Sequence, residues 1–153
     1  MEIIDSDRHV MEPLSIWKEY LTPDVYKDYY IDVKVDTSED LLQRVKDFGL
    51  DGAVKLPNTY NIADSPILNL WDEKVQYASA LRSESTKAER IAAMRPDTQL
   101  ASMDGSDIAV SAIFSTFAGF IVNHSELPAN VSLAYADAYN RWLKDYCDYD
   151  SDR

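Results

Sequence analysis

Several kinds of residue are scarce in this chain. Of its 153 residues one is cysteine, two are histidine and four are glycine. The single Cys147 excludes an internal disulfide and fits a reducing compartment. Four glycines hardly support a phosphate-cradling loop, and no G-x-S-x-G turn, cysteine–histidine neighbour or basic–aromatic patch is present. Positive charge is short as well, because 15 Lys+Arg face 27 Asp+Glu and leave −12 at pH 7. Such a surface repels phosphate backbones and anionic lipid, which argues against nucleic acid and membrane surfaces as partners. No uncharged run is long enough to span a bilayer. Ile108 to Val122 comes nearest, but it falls short of roughly 20 apolar residues and is broken by Ser111, Ser115, Thr116 and Gly119. The start, Met1-Glu2-Ile3-Ile4-Asp5, shows no basic segment followed by an apolar one, so the expected location is the cytoplasm.

What is present is an ordinary soluble composition, 46% hydrophobic and 27% charged, at the length of one domain. Glu2 to Ser6 reads as a strand with Ile3 and Ile4 adjacent, as expected where both faces are covered. Pro13 opens a helix carrying Leu14, Trp17 and Leu21. Ile31, Val33 and Val35 alternate with Asp32 and Lys34 as a half-buried strand. Thr37 or Ser38 caps a helix with Leu41, Leu42, Val45 and Phe48, ended by Gly49, and Gly52 to Leu56 reads as another strand. Ser65-Pro66 has the form of a helix start, followed by Ile67, Leu68, Trp71, Val75, Ala78 and Leu81, with a second helical piece from Lys87 to Arg95. Asp97 to Met103 reads as a short helix and Ile108 to Phe114 as a buried strand. From Pro128, Val131, Ala134, Tyr135, Ala138, Trp142, Leu143 and Tyr146 recur on one helical stripe. That stripe is broader than two local strands would cover, so the helix is expected to lie outside a sheet and to help hold a partner.

Asp7 and His9 stand two apart at the carboxyl end of the first strand. In extended geometry their side chains share a face, and a carboxylate with an imidazole can share one divalent cation. With no cysteine nearby, the pair suits Zn²⁺, Mn²⁺ or Fe²⁺, Zn²⁺ first. From spacing alone, two ordinary loop residues after a strand come ahead of that reading. Arg8, between them, is expected to point the other way. Glu12 is either a further ligand or second-shell acceptor for His9, or the cap of the following helix. His124 reads first as a satisfied loop histidine or partner contact and only second as a ligand. Trp17, Trp71 and Trp142 read as core and interface before substrate wall.

The stretch Ile4-Asp5-Ser6-Asp7-Arg8-His9-Val10-Met11-Glu12-Pro13, with Trp17 after it, resembles the opening of the amidohydrolase-related ("amidohydrolase 2") proteins of the amidohydrolase superfamily, which include metal-dependent decarboxylases. Leu100-Ala101-Ser102-Met103-Asp104 with Ile108-Ala109-Val110 and Ile113-Phe114-Ser115-Thr116 is similar to the family's helix into its second barrel strand. Ala134-Tyr135, Ala138 to Leu143, Cys147 and Asp152-Arg153 are similar to the helix that follows. Asp107 departs from the glycine usual before that strand, so a differently built turn is expected there. Residues of about 30–90 fall outside the resemblance and read as an inserted segment.

The resemblance implies a (β/α)8 TIM barrel, which takes about 250 residues and at least roughly 200. The expectation is therefore an α/β chain, 1–153, holding the first two βα units of a barrel completed by another chain. Asp7 and His9 would be the first-strand metal ligands, with Glu12, Trp17 and His124 touching the substrate or supporting those ligands from behind. The implied function is the small subunit of a split metal-dependent hydrolase or non-oxidative decarboxylase acting on a small molecule. A non-catalytic structural or regulatory subunit, and an independent small α+β ligand-binding domain, are the alternatives.

Overall fold

The computed structural model describes residues 2–35, 58–63, 65–69 and 92–153. Its elements run β1 (Ile3–His9), α1 (Ser15–Tyr20), α2 (Pro23–Tyr29), β2 (Ile31–Val35), β3 (Asn58–Ile62), β4 (Ser65–Asn69), α3 (Pro96–Asp104), β5 (Ile108–Phe114), α4 (Ala118–Val122) and α5 (Ala129–Cys147). The helix expected over Leu41 to Phe48, the strand over Gly52 to Leu56, and the positions Trp71 to Leu81 lie outside the described residues. The chain is mixed α/β with two sheets, and no closed barrel is formed among the described residues.

β1 and β5 pair in parallel, far apart in sequence, as the two expected βα units require. β1 is longer than expected and runs through Asp7 to His9, so the candidate ligands stand on the strand rather than after it. The pairing is not regular. Asp5 faces Ser111 and Arg8 faces Ile113, three steps on β1 against two on β5. Nearer the start the sense reverses, since Ile3 faces Ile108 and Ile4 faces Val110.

β2, β3 and β4 form a separate antiparallel sheet in that order. Here Ser65-Pro66 overturns the expected helix start, because Ser65–Asn69 is a strand. Local capping chemistry is overridden by hairpin pairing. Ala63 turns the chain at a φ of 47°, Ile62 then faces Ser65, and Pro66 faces Asn61 next to a register shift. A proline lacks the ladder donor and is tolerated on an edge strand or at such an irregularity, and among the described residues β4 is an edge strand.

The helices follow their local signals. Pro23 and Pro96 occupy the first turns of α2 and α3, where a missing N–H costs nothing. Asp107 has a φ of 56°, a left-handed position that suits glycine and that aspartate tolerates better than most residues. The turn into β5 therefore keeps a glycine-type conformation without the glycine.

α5 buries Val131, Tyr135, Ala138, Trp142 and Tyr146 in steps of three and four, the stripe read from the sequence. Its covering is internal. Ile16, Trp17 and Leu21 around α1, Phe117, Ala118 and Ile121 around α4, and Ile62 of β3 join it in one core, and the Tyr60 ring packs tilted against Phe117 at 4.8 Å. The stripe is thus satisfied within the chain, and the expectation that it needs a partner is corrected. The parallel sheet, by contrast, is open in this chain. Ile3, Ile4, Val110 and Phe114 are exposed, and among the described residues no further strand pairs with β1 or β5.

One edge of β5 is partly occupied by the last residue described. Ser111 N–H donates to the Arg153 carbonyl at 2.8 Å, and the Arg153 guanidinium donates to the carbonyls of Ile108 at 2.7 Å and Ala109 at 3.1 Å. Its other nitrogen pairs with Asp104 at 2.6 Å. No described helix is long and apolar enough to cross a membrane.

Candidate functional site

Asp7 and His9 lie side by side on β1, with Asp7 Oδ1 3.6 Å from His9 Nε2 and both side chains more than half exposed. That separation exceeds the 2.7–3.2 Å or so of a hydrogen bond. It lies at the top of the roughly 3.3–3.6 Å between ligand atoms on a tetrahedral ion with bonds of about 2.0–2.2 Å. The oxygen and nitrogen donors therefore fit one divalent ion as far as two ligands go. No third His, Cys, Asp or Glu among the described residues gathers with them into a metal-holding group.

His9 is held from several sides. Its carbonyl accepts from Gln99 Nε2 of α3 at 3.2 Å, and the next residue, Val10, donates to the Phe114 carbonyl at 3.0 Å. Its ring stands 6.3 Å from the Phe114 ring, and its Nδ1 lies 3.2 Å from Thr116 Oγ1. Asp7 is fixed through its backbone, whose N–H donates to Asp5 Oδ1 at 3.1 Å. Arg8 leaves the pair as expected, reaching Ser102 of α3 at 2.9 Å and Asp5 at 3.4 Å.

Glu12 takes neither of its expected roles. It is buried, and its carboxylate accepts the N–H groups of Thr116 at 3.1 Å, Phe117 at 2.9 Å and Ala118 at 3.2 Å. These are the free donors at the start of α4, so Glu12 caps a helix more than 100 residues away rather than the one that follows it. Negative charge is favoured at that helix end. The bond also places Thr116 beside His9, which ties Glu12 indirectly to the pair.

Trp17 is a core residue, 1% exposed, with its ring 5.1 Å from that of Tyr135 and, among the described residues, no hydrogen-bond partner at its indole nitrogen. His124 is a satisfied loop histidine. Its Nε2 lies 3.0 Å from Ser65 Oγ, and Ser65 in turn donates to Glu126, so the three residues tie β4 to the loop between α4 and α5. His124 and Asp7–His9 are not brought together in a metal-holding group.

Thr116, Gln99, Ser65 and Glu126 were not candidates from the sequence. Thr116 stood out only as a polar break in the run from Ile108 to Val122. Its role depends on a partner 107 positions away, and no local pattern carries that information. No family model matches this chain, and no curated protein matches it.

Proposed function

We propose that this chain is the amino-terminal part of a split, metal-dependent enzyme of amidohydrolase type, in which Asp7 and His9 supply part of a divalent metal site and a second chain supplies the rest. The observation that carries the reading is the Asp7–His9 pair, spaced for one ion and exposed at the carboxyl end of a parallel strand. In α/β barrels and open parallel sheets this is the end where active sites are built. The uncovered Ile3, Ile4, Val110 and Phe114 support the second half of the proposal, since a further strand or helix layer would bury them.

In this reading the Asp7 carboxylate and His9 Nε2 bind the ion, Zn²⁺ first and Mn²⁺ or Fe²⁺ next. The Phe114 ring flanks the His9 imidazole, and Gln99 fixes its backbone. Bound there, a divalent ion polarises a carbonyl or holds a carboxylate, the chemistry of amide or related hydrolysis and of non-oxidative decarboxylation. The exposed side of the pair is left for substrate and for the other chain's ligands. The cytoplasm is the location proposed.

A second reading, a structural or regulatory subunit without a metal, rests on the same two residues acting as a plain surface ion pair. Metal analysis of the chain with whatever co-purifies separates the two. The enzyme reading expects stoichiometric metal that Asp7→Ala and His9→Ala each remove while assembly persists. Full metal and full activity in both variants would sink it.

A further inference from the structure

We propose that the outer edge of β5 is a strand-acceptor site, where Arg153 makes the first rung and an apolar strand of the second chain continues the ladder parallel to β5, with a basic group at its entering end. This rests on the reading above that a second chain completes the sheet, and it names where and in which direction that chain enters.

Backbone groups along a strand turn to alternate sides. Val10 donates to the Phe114 carbonyl, so Phe114 faces β1, whereas Ser111, whose N–H donates to the Arg153 carbonyl at 2.8 Å, faces the other way. Ile113, two residues on from Ser111, faces that same outer edge. Among the described residues no backbone group there meets the Ser111 carbonyl or the Ile113 N–H and carbonyl.

Arg153 sets the direction. In an antiparallel rung two residues exchange both bonds, but the Arg153 N–H is given to the Asp150 carbonyl at 3.3 Å, so Arg153 offers Ser111 its carbonyl alone. That is the rung of a parallel pair, in which one residue's N–H and carbonyl meet two different residues of the neighbour. The next rungs of the same ladder are an N–H onto the Ser111 carbonyl and a carbonyl onto the Ile113 N–H. A second copy of this chain does not fit this edge. Two β5 edges related by a two-fold axis run antiparallel, and the Arg153 guanidinium already holds the Ile108 and Ala109 carbonyls.

Beside this edge lies an open cavity of about 200 Å³, with Leu100, Met103, Ile113 and Tyr146 among its lining residues. A cavity of about 150 Å³ holds a benzene ring, so there is room for a large apolar side chain. In a parallel ladder the residue in register with Ile113 places its side chain on the Ile113 face, which is the cavity side. Strand addition gains its specificity from such pockets for alternate side chains. Asp150 and Asp152 stand exposed at the cavity beside Arg153, while Asp104 is paired with Arg153, so a basic entering end complements this corner.

The probe is a short peptide with lysine at its amino end, then threonine alternating with valine and leucine, added to the ¹⁵N-labelled full chain without metal. In the free chain the Ser111 amide should be protected from exchange and the Ile113 amide should not. Peptide should protect Ile113, and a spin label at the peptide's amino end should broaden signals near Arg153 and Asp107 rather than near Phe114. Aspartate in place of the leucine should weaken binding about 10–100-fold, the loss of one buried large side chain, and glutamate in place of the lysine should weaken it less. No binding, binding with the label near Phe114, or an Ile113 amide already protected in the free chain, as a dimer through this edge would give, overturns the inference. Parallel addition to a chain that neither holds metal nor co-purifies with a partner upholds the edge site and overturns the enzyme reading. Metal that depends on Asp7 and His9 without strand addition does the reverse.

Discussion

Around α5, five large or packed side chains from Val131 to Tyr146 are at most 7% exposed, whereas on the parallel sheet Ile4 is 69% and Phe114 48% exposed. Both regions are apolar by sequence, yet one closes on itself and the other does not. A helix stripe can be covered by whichever elements fall beside it, and here α1, α4 and β3 do so. A parallel strand can be covered only by strands at its edges and layers on its faces. The uncovered apolar side chains of β1 and β5 are the surface on which the partner proposed above would act.

The strongest way to break this contrast is at the closed side. Trp142→Ala, which strips a buried side chain in tilted ring contact with Tyr139 and Tyr146, should cost about 3–5 kcal/mol in thermal or denaturant unfolding of the chain alone. If the loss appears only when a partner is present, the α5 stripe is an interface after all. A smaller loss is expected for Glu12→Gln. Replacing a carboxylate that holds three N–H groups with a neutral amide should lower stability by about 2 kcal/mol and loosen α4 without exposing α5, as amide exchange would report.

Alkaline pH sharpens the contrast in another way. Burial pushes the Tyr139 phenol up to about 12, and raises those of Tyr135 and Tyr146 as well. Unfolded phenols release their protons near pH 10 or so while the folded ones still hold them, so folding stability is full below that pH and falls as pH rises toward about 12. Circular dichroism and tyrosinate absorbance should therefore change together on the alkaline side. Tyrosines titrating freely in a still-folded chain would contradict it. The smallest effect belongs to the open side. Ile4→Ser with Phe114→Ser should change the stability of the chain alone by no more than about 0.5 kcal/mol each, yet weaken association with a co-purifying chain. A large loss in the isolated chain would mean that the sheet is already covered.

What was legible in the sequence follows the same division. The α5 stripe could be read because its period is local, and β1, β5 and α3 because apolar runs and proline marked them. Asp7 and His9 could be placed together because two residues of strand bring side chains back to one face. Ser65-Pro66 misled because a cap signal is also local, while the hairpin that claimed it depends on Ile62 and Asn61 across a turn. Glu12 reads from the sequence as a partner of His9 or the cap of the helix that follows it, but its actual target, the start of α4, is a tertiary fact. The same is true of Thr116 beside His9 and Ser65 beside His124. The amidohydrolase-type reading itself rests on three stretches that resemble that family, in order, and on the geometry of two residues.

The paired irregularities of β1 and β5 bear on how this strand should be compared with any other. Both ends of the ladder keep one offset, Ile3 with Ile108 and His9 with Phe114, while Ile4 and Asp5 are slipped by one residue against Val110 and Ser111. A slip of one inverts the faces of a strand. Parity counted forward from Ile4 therefore disagrees with parity counted back from His9, although the strand has gained no length overall. A correct superposition needs one compensating gap in each strand, and a graft of the Asp7–His9 pair onto another scaffold must carry the slipped segment with it.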